Sequence, residues 1–402
     1  MNLPLLFIFL TVTIDAMGIG LILPVMPDLI REVTGGDLAQ AAVWGGLLST
    51  AFAVMQFICA PMLGSLSDAV GRRPVLLVSM AVMALDYVVM ALAGSLWLLL
   101  LGRIIGGITA ATHSTAQAYI ADISDPAQKA ANFGLLGAGF GAGFVLGPIL
   151  GGLLAEFGTR APFWAAAGLS AANAVLGFLV LRETVTDRTR RAFNWANVNP
   201  FGAFRLIARL PGLTILLGVF FFYHLANAVY PVIWAYFTAE RFGWSPGLIG
   251  VSLAVYGLSL ALVQGLLVGP AIGWLGERRT VIWAFAIELV ALVVIGFLTS
   301  GWWLMALIPL SALGAIGFPA LQGIASRAVP DDAQGALQGV MTSLMSIAMI
   351  LAPLALTQVF AAFSGPDAAV YLPGAPFLAA AVIMALSLAL FLRISFPRVR
   401  LR

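Results

Sequence analysis

Twelve long apolar runs dominate the sequence, and each is long enough to cross a bilayer as a helix, which takes about 20 residues. No long stretch shows the alternation of a transmembrane β-strand. The sequence therefore predicts an all-α membrane protein. Numbered as spans 1 to 12, the runs lie at about 4–26, 42–63, 74–94, 97–121, 131–155, 162–181, 213–238, 247–271, 280–299, 302–325, 336–360 and 372–392.

The composition excludes a soluble protein. Only 9% of the 402 residues are charged and 61% are hydrophobic, whereas soluble domains carry about 25% charged residues. This excludes a soluble enzyme, a nucleic-acid binder and a disordered chain. The single cysteine, Cys59, permits no intrachain disulfide and no cysteine-based metal site, and we expect no resident metal or other cofactor. Span 1 carries Asp15 and lacks a basic start and a cleavage pattern, so we expect a retained helix.

Positive charge is unevenly distributed between the two sets of loops. It concentrates in the loops that follow even-numbered spans, in the long loop 182–211 and in the C-terminal tail. Because arginine and lysine are enriched in loops on the cytoplasmic side, we expect both termini and the long loop to be cytoplasmic.

The chain repeats itself at an offset of 205 residues. Gly64 and Gly71 follow span 2, and Gly269 and Gly276 follow span 8 at that offset. A Gly-Pro pair at 147–148 likewise matches Ala-Pro at 352–353. An even number of spans per copy gives both copies the same orientation. We therefore predict two six-helix bundles, residues 1–182 and 213–402, joined by a cytoplasmic linker at 183–212.

Three segments carry a family resemblance to the major facilitator superfamily, whose halves are parallel six-span repeats. The segment 103–107 is similar to its span 4 motif. The span 2–3 segment resembles its signature loop through Gly64, Asp68, Gly71, Arg72 and Arg73. The span 5 segment resembles a motif found mainly in its proton-coupled exporters through Gly143, Gly147, Pro148, Gly151 and Gly152.

Within that superfamily, the chain most resembles the tetracycline exporters. The segments that carry this likeness are 15–20, 23–27, 85–87, 241–244 and 320–323. The resemblance implies a monomeric inner-membrane antiporter of the major facilitator fold. It would export a hydrophobic or amphipathic drug, tetracycline foremost, either free or as a divalent-cation chelate, against inward proton flow. One departure stands out: Leu260 occupies the place of a histidine that these exporters carry four residues before the equivalent of Gln264.

Four charged side chains lie within the spans, where an unpaired charge is costly. They are Asp15, Asp86, Arg103 and Glu288. We expect Asp15 and Arg103 to pair, either for proton or cation binding or as a structural ion pair. Asp86 and Glu288 are interpreted as proton carriers or substrate contacts, or alternatively as protonated structural acids with unidentified polar neighbours.

The resemblance also implies that Asp68 and Arg72 latch the two halves together in the outward-facing state. The alternative is a positive anchor, which explains the arginines but not Asp68 or the glycine spacing. Span 5 has glycines at 139, 143, 147 and 151, a spacing that lets another helix approach closely, and we expect this stripe to form the outer seam. The second copy holds Gly273 instead of the acid, which predicts a weaker latch.

Polar and aromatic side chains on spans 4, 7, 8 and 10 are the candidate substrate contacts. On span 7 they share one helical face, although such a face is also typical of simple packing. The two histidines are alternatively proton relays. The candidates, besides Asp15 and Arg103, are His113, Gln117, Tyr223, His224, Asn227, Tyr230, Trp234, Gln264 and Gln322.

Two other functions stay open at this point. One is a symporter or facilitator that imports a small metabolite, against which the span 5 glycine motif argues. The other is a non-transport membrane protein on the same fold. The short loops leave no room for a catalytic domain, and the sequence shows no nucleophile–base constellation or phosphate loop, so we do not expect an enzyme.

Overall fold

The structure, a computed structural model, describes residues 3–110, 112–125, 128–187, 190–193, 199, 213–330 and 333–394. Across these ranges every regular element is a helix. Twelve helices are long and apolar enough to cross a membrane, which confirms the predicted all-α membrane fold. Spans 1 to 12 are Leu3–Ile22, Leu38–Val70, Arg72–Leu92, Leu96–Ile123, Ala131–Phe157, Ala161–Val180, Leu213–Phe242, Pro246–Leu275, Glu277–Phe297, Gly301–Arg327, Gln334–Ser364 and Ala375–Leu392.

The chain between spans 1 and 2 forms a short helix that the apolar pattern did not predict. Span 1 ends at Ile22, and the helix Met26–Thr34 follows it. Gly35 ends this helix in the left-handed region at φ 66°. Asp37 then starts span 2, because its side chain accepts a hydrogen bond from the Gln40 backbone N–H at 2.8 Å and so satisfies a free donor of the first turn.

Helix packing within each group of six spans is extensive. Span 1 packs on spans 5 and 6, span 3 on span 6, and span 2 on span 4. In the other six, span 7 packs on spans 11 and 12, and span 9 on spans 10 and 12. The two groups meet where span 2 packs on span 11 and span 5 on span 8.

The span 5 glycine stripe faces span 1. A Cβ atom on Gly143 would lie 2.2 Å from the Thr13 carbonyl oxygen, and one on Gly147 would lie 2.5 Å from that of Met17. The expectation that this stripe forms the seam between the halves is therefore wrong: it lies inside the first group. The seam with span 8 is formed by its neighbours, since a Cβ on Gly250 would lie 2.1 Å from the Pro148 carbonyl oxygen.

The two ends of the bundle differ in how closely the halves approach. We call the end that holds residues 64–73 the motif end, and the opposite one the far end. At the far end, a Cβ on Gly152 would lie 2.8 Å from Cα of Gly247. Toward the motif end, a Cβ on Gly141, Gly265 or Gly269 would meet no atom of another described element within 4 Å. Spans 5 and 8 are therefore packed at the far end and separated at the motif end.

Several spans depart from regular α-helix near their middles. Span 7 is interrupted at Ala228, between Leu213–Asn227 and Val229–Phe242. Span 8 contains a π-helical stretch at Val263–Leu267, which contacts a 3-10 stretch of span 10 at Ala312–Ile316. Such interruptions free backbone groups within a membrane, which is tolerated only where protein or a cavity surrounds them.

Candidate functional site

Two of the charged groups within the spans form an ion pair. The Arg103 guanidinium on span 4 donates a hydrogen bond from Nη2 to Oδ2 of Asp86 on span 3 at 3.2 Å. The Asp86 side chain is fully buried and that of Arg103 nearly so. Arg103 also lies over the ring of Phe52, 5.3 Å from its centroid, and its Nη2 contacts Met90 Sδ at 2.5 Å.

Two glycines make room for this pair. Gly102 and Gly106 flank Arg103 on span 4, and a Cβ on either would lie 2.7 Å from a carboxylate oxygen of Asp86. Gly106 belongs to the motif that the sequence singled out, whereas Gly102 does not. The four-residue glycine spacing around a charged residue is the signal that would have located the neighbouring carboxylate.

The predicted pair between Asp15 and Arg103 is wrong. Arg103 bonds to Asp86 instead, because spans 3 and 4 are adjacent in the chain and pack directly against each other. Among the side chains that the structure describes, Asp15 takes part in no ion pair, and its neighbouring hydroxyls belong to Thr112 and Tyr87.

Tyr87 follows Asp86 on span 3 and packs against span 1, the helix that carries Asp15. Its ring is 2% exposed, and its hydroxyl lies against Gly18, where a Cβ would be 2.4 Å away. Asp15, Asp86 and Arg103 are the charged side chains nearby. We define these four residues as the acidic cluster of the first half. Tyr87 follows Asp86 in a segment that carries the family resemblance, but the sequence alone does not mark it as a site residue.

Glu288 lies in a separate polar pocket of the second half. It is 3% exposed and packs against span 10, where a Cβ on Gly314 would lie 2.2 Å from Oε2. Tyr230 and Tyr256 stack on each other with ring centroids 5.7 Å apart, and both lie close to Glu288. Within the described part of the structure, neither Oε1 of Glu288 nor the Tyr230 hydroxyl has a well-formed hydrogen bond.

The aromatic face of span 7 is packed into the protein. Tyr223 stacks on Phe285 with centroids 5.1 Å apart, and Trp234 donates a hydrogen bond from Nε1 to the Ser252 hydroxyl at 2.8 Å. Tyr223 and Trp234 are each 5% exposed. In this conformation, these two side chains contribute to packing rather than to an open surface.

The other predicted substrate contacts are placed differently. Asn227 donates to the Tyr223 carbonyl oxygen at 3.1 Å. Nε2 of the half-buried His224 has no hydrogen-bond partner among the residues that the structure describes. Gln322 lies 3.4 Å from Gln338 Oε1. Gln117 and Gln264 are exposed, and the His113 side chain lies outside the described part of the structure. Tyr223 and Trp234 are thus buried in this conformation, whereas Gln117 and Gln264 are exposed, and the role of these residues in substrate binding stays a prediction.

The predicted latch residues form a network at the motif end. Arg72 bonds to Asp68 at 2.5 Å and to Asp122 at the end of span 4 at 3.2 Å. Its Nη1 also donates to the Ser67 hydroxyl at 2.6 Å. Arg73 points away from this network, donates to the Phe178 carbonyl oxygen at 2.9 Å and lies over the Phe178 ring. The sequence placed Asp122 only as a loop charge, so its pairing with Arg72 is new.

The second half carries the same ion pair with its charges exchanged. Glu277 and Arg327 each stand 205 positions after Arg72 and Asp122, respectively. The acid now begins span 9, the base ends span 10, and the two side chains form a salt bridge. Although Gly273 replaces Asp68 in this copy, a bridge between the two equivalent spans is retained.

Comparison with known proteins agrees with this architecture. The family model described as Major Facilitator Superfamily matches residues 8–233 and 215–400. The chain is 42% identical to the tetracycline resistance protein of class C from Escherichia coli, over 90% of each chain. It is 40% identical to the class G protein from Vibrio anguillarum, over 89% of this chain and 90% of that one.

Solved structures show the same fold. The crystal structure of the human organic anion transporter MFSD10 (TETRAN) has a TM-score of 0.71 and 26% identity, over 97% of this chain and 99% of that chain. The twelve spans, the family match and the tetracycline resistance relatives lead to one assignment. The chain is a multi-pass membrane transporter rather than an enzyme, and it belongs to the Major Facilitator Superfamily, in the group that includes the tetracycline resistance proteins.

Proposed function

We propose that the chain exports a hydrophobic or amphipathic drug, tetracycline foremost, either free or as a divalent-cation chelate, in exchange for protons. The observation that supports this most directly is the acidic cluster: two carboxylates and one guanidinium held at membrane depth. A charge in that position is costly. An ionisable group at membrane depth is therefore a candidate for a functional site. The tetracycline resistance relatives support the choice of substrate.

The bundles 1–182 and 213–402, linked by 183–212, would alternate between states open at either end. Separation of spans 5 and 8 at the motif end is compatible with one of these states. With the termini and motif end in the cytoplasm of a bacterial inner membrane, as the positive-inside bias favours, the open end would face the drug to be exported. One chain contains both halves, so a monomer suffices.

Asp15 is the first candidate for the proton carrier. Protonation of Asp86 would leave the buried Arg103 guanidinium without its anion, which is strongly unfavourable. Asp15 has no ion pair among the described side chains, so it can gain or lose a proton without breaking one. Tyr87 and Thr112, which lie next to it, offer hydroxyls that accommodate either form of the carboxyl. Glu288 is the corresponding candidate in the second half.

Substrate class and coupling are tested separately. Expression in an efflux-deficient host should raise the inhibitory concentration of tetracycline more than that of unrelated drugs. Resistance to none of a broad drug panel would contradict export. In proteoliposomes, Asp15→Asn should still bind substrate but should not release protons on substrate addition. If Asp15→Asn still concentrates substrate by using the proton gradient, the carrier is Asp86 or Glu288.

The latch is tested with Asp68→Asn. This change keeps the size of the side chain and removes the anion that pairs with Arg72. We expect normal insertion with loss of transport, and increased labelling of cysteines introduced at the motif end. Wild-type export by Asp68→Asn would contradict the latch.

A further inference from the structure

The chain that leaves span 6 is bound to the turn between spans 2 and 3. The Glu183 carboxylate accepts hydrogen bonds from four backbone N–H groups. Two belong to Arg72 and Arg73, at 2.9 and 3.2 Å, and two to Thr184 and Val185, both at 2.9 Å. One exposed side chain therefore fixes the beginning of the linker to the first turn of span 3.

Glu183 caps the N-terminus of span 3, because its carboxylate accepts hydrogen bonds from the free backbone N–H groups of the first turn. The residue before Arg72 is Gly71, which has no side chain to accept from the free N–H groups of the first turn. A carboxylate is favourable at this position because the N-terminus of a helix carries partial positive charge. Gly71 also makes room for it, since a Cβ there would lie 2.3 Å from Oε2 of Glu183.

The next residue binds the latch itself. The Thr184 hydroxyl donates to Oδ2 of Asp122 at 3.0 Å, and the same oxygen accepts from Nε of Arg72 at 3.2 Å. Further along, the Arg191 backbone N–H donates to the Asp68 carbonyl oxygen at 3.2 Å. The start of the linker thus contacts all three charged residues of the latch network.

We propose that Glu183 and Thr184 are positioning residues that stabilise the conformation open at the motif end, by holding the linker on the latch. The inference rests on the proposed alternating access. Residues 183–212 connect span 6 to span 7, so this attachment lies on the covalent connection between the two halves. Contacts present in one conformation and weakened in the other shift the population between them.

The experiment uses the full chain with Cys59→Ser and a reporter cysteine at Gly141. Gly141 lies on the span 5 face of Val145, which contacts Gly257 of span 8, and is exposed in the open conformation. Labelling by a membrane-impermeant maleimide then reports the open state without any drug. Thr184→Val removes only the hydroxyl, Thr184→Ser keeps it, and Asp187→Asn changes an exposed acid nearby.

Loss of one hydrogen bond is expected to shift the populations by about threefold. Thr184→Val should therefore slow labelling by about that factor and raise the apparent KM for drug from the motif side, because the binding-competent fraction falls. The maximal rate should be kept. Thr184→Ser and Asp187→Asn should match the parent. A role limited to folding would instead lower the maximal rate and leave KM unchanged.

Glu183→Gln should act in the same direction and more strongly, since it removes the charge at the helix terminus. If it fails to insert, Thr184→Val decides, because the Glu183 contacts remain in that variant. Unchanged labelling in Thr184→Val would overturn the inference. Labelling needs no substrate, so a chain that transports no tetracycline would contradict the proposed substrate and leave this measurement decisive.

Discussion

Arg103 and Asp86 lie on consecutive spans and bond to each other at 3.2 Å, although the acid on span 1, Asp15, was the predicted partner. The pair occupies a pocket cleared by two glycines of span 4. This arrangement assigns different roles to the two acids of the first half. Asp86 pairs with the arginine, and Asp15 takes part in no ion pair among the described side chains, which is why we propose Asp15 as the proton carrier.

The first prediction concerns the cost of breaking that pair. Asp86→Asn should lower the free energy of unfolding in detergent by about 3–5 kcal/mol, since it strands a buried guanidinium. Asp86→Asn combined with Arg103→Gln should recover much of that loss. The control is Asp28→Asn, which removes a salt bridge to Arg31 that is largely exposed. Equal destabilisation by Asp86→Asn and Asp28→Asn would contradict the prediction, because the buried pair would then be no more sensitive to loss of its acid than the exposed pair.

The second prediction concerns close packing of spans 1 and 5. Gly147→Leu should abolish insertion or transport, because even a Cβ there would lie 2.5 Å from the Met17 carbonyl oxygen. Gly168→Leu on span 6, where no atom lies within 4 Å, should be tolerated. Ala352→Leu, at the equivalent place of the second half, should be milder, since a Cβ is already accommodated there. Expression and fluorescence-detected size exclusion would measure all three, and similar profiles for Gly147→Leu and Gly168→Leu would refute the packing argument.

The third prediction concerns the exchanged ion pair of the second half. Glu277→Arg replaces the anionic partner of Arg327 by a second positive charge and should therefore lower the free energy of unfolding. Exposed ion pairs of this kind contribute about 0.2–1 kcal/mol to that free energy. Glu277→Arg combined with Arg327→Glu should recover this stability. The double variant places the base and the acid as they stand at Arg72 and Asp122 in the first half. A double-mutant cycle on thermal unfolding measures the coupling. A coupling indistinguishable from zero would show that the bridge does not stabilise the second half.

The fourth prediction concerns Glu32, on the short helix outside the spans. Hydrogen bonds from the Thr159 hydroxyl and the Arg160 guanidinium lower the pKa of Glu32 below its ordinary value of 4.5. A depressed pKa stabilises the folded state above the ordinary value, and this contribution is lost as pH falls through the lowered pKa. Glu32→Gln should therefore lower the melting temperature at pH 7, with the difference shrinking below about pH 4.

Glu156→Gln is the matched control for this measurement, because Glu156 is exposed and lies near the same end of the bundle. It should show no pH-dependent difference from the parent. A constant difference between Glu32→Gln and the parent from pH 7 down to acid would contradict the assignment.

Much of the architecture follows from local sequence. Each span needs only a run of apolar residues about 20 long, so twelve helices and their order were predictable without knowing how they pack. Where polar residues interrupt the apolar run, as in the helix Met26–Thr34 after span 1, hydropathy does not indicate a helix. The repeat of 205 residues similarly places Glu277 and Arg327 at the positions equivalent to Arg72 and Asp122. Only the structure shows that the side chains at these positions form a salt bridge in both halves.

Only the tertiary structure decided which charges meet. Asp15 and Asp86 look alike in sequence, each a lone acid in an apolar helix, and helix periodicity alone does not rank their distances to Arg103. That ranking depends on how spans 1, 3 and 4 are rotated and packed. The same holds for Glu183, which reads as an ordinary linker charge until folding brings it to the N-terminus of span 3. Sequence determined which segments enter the membrane, because burial in lipid depends on local composition; packing determined the chemistry, because ion pairs and hydrogen bonds depend on distances between residues far apart in the chain.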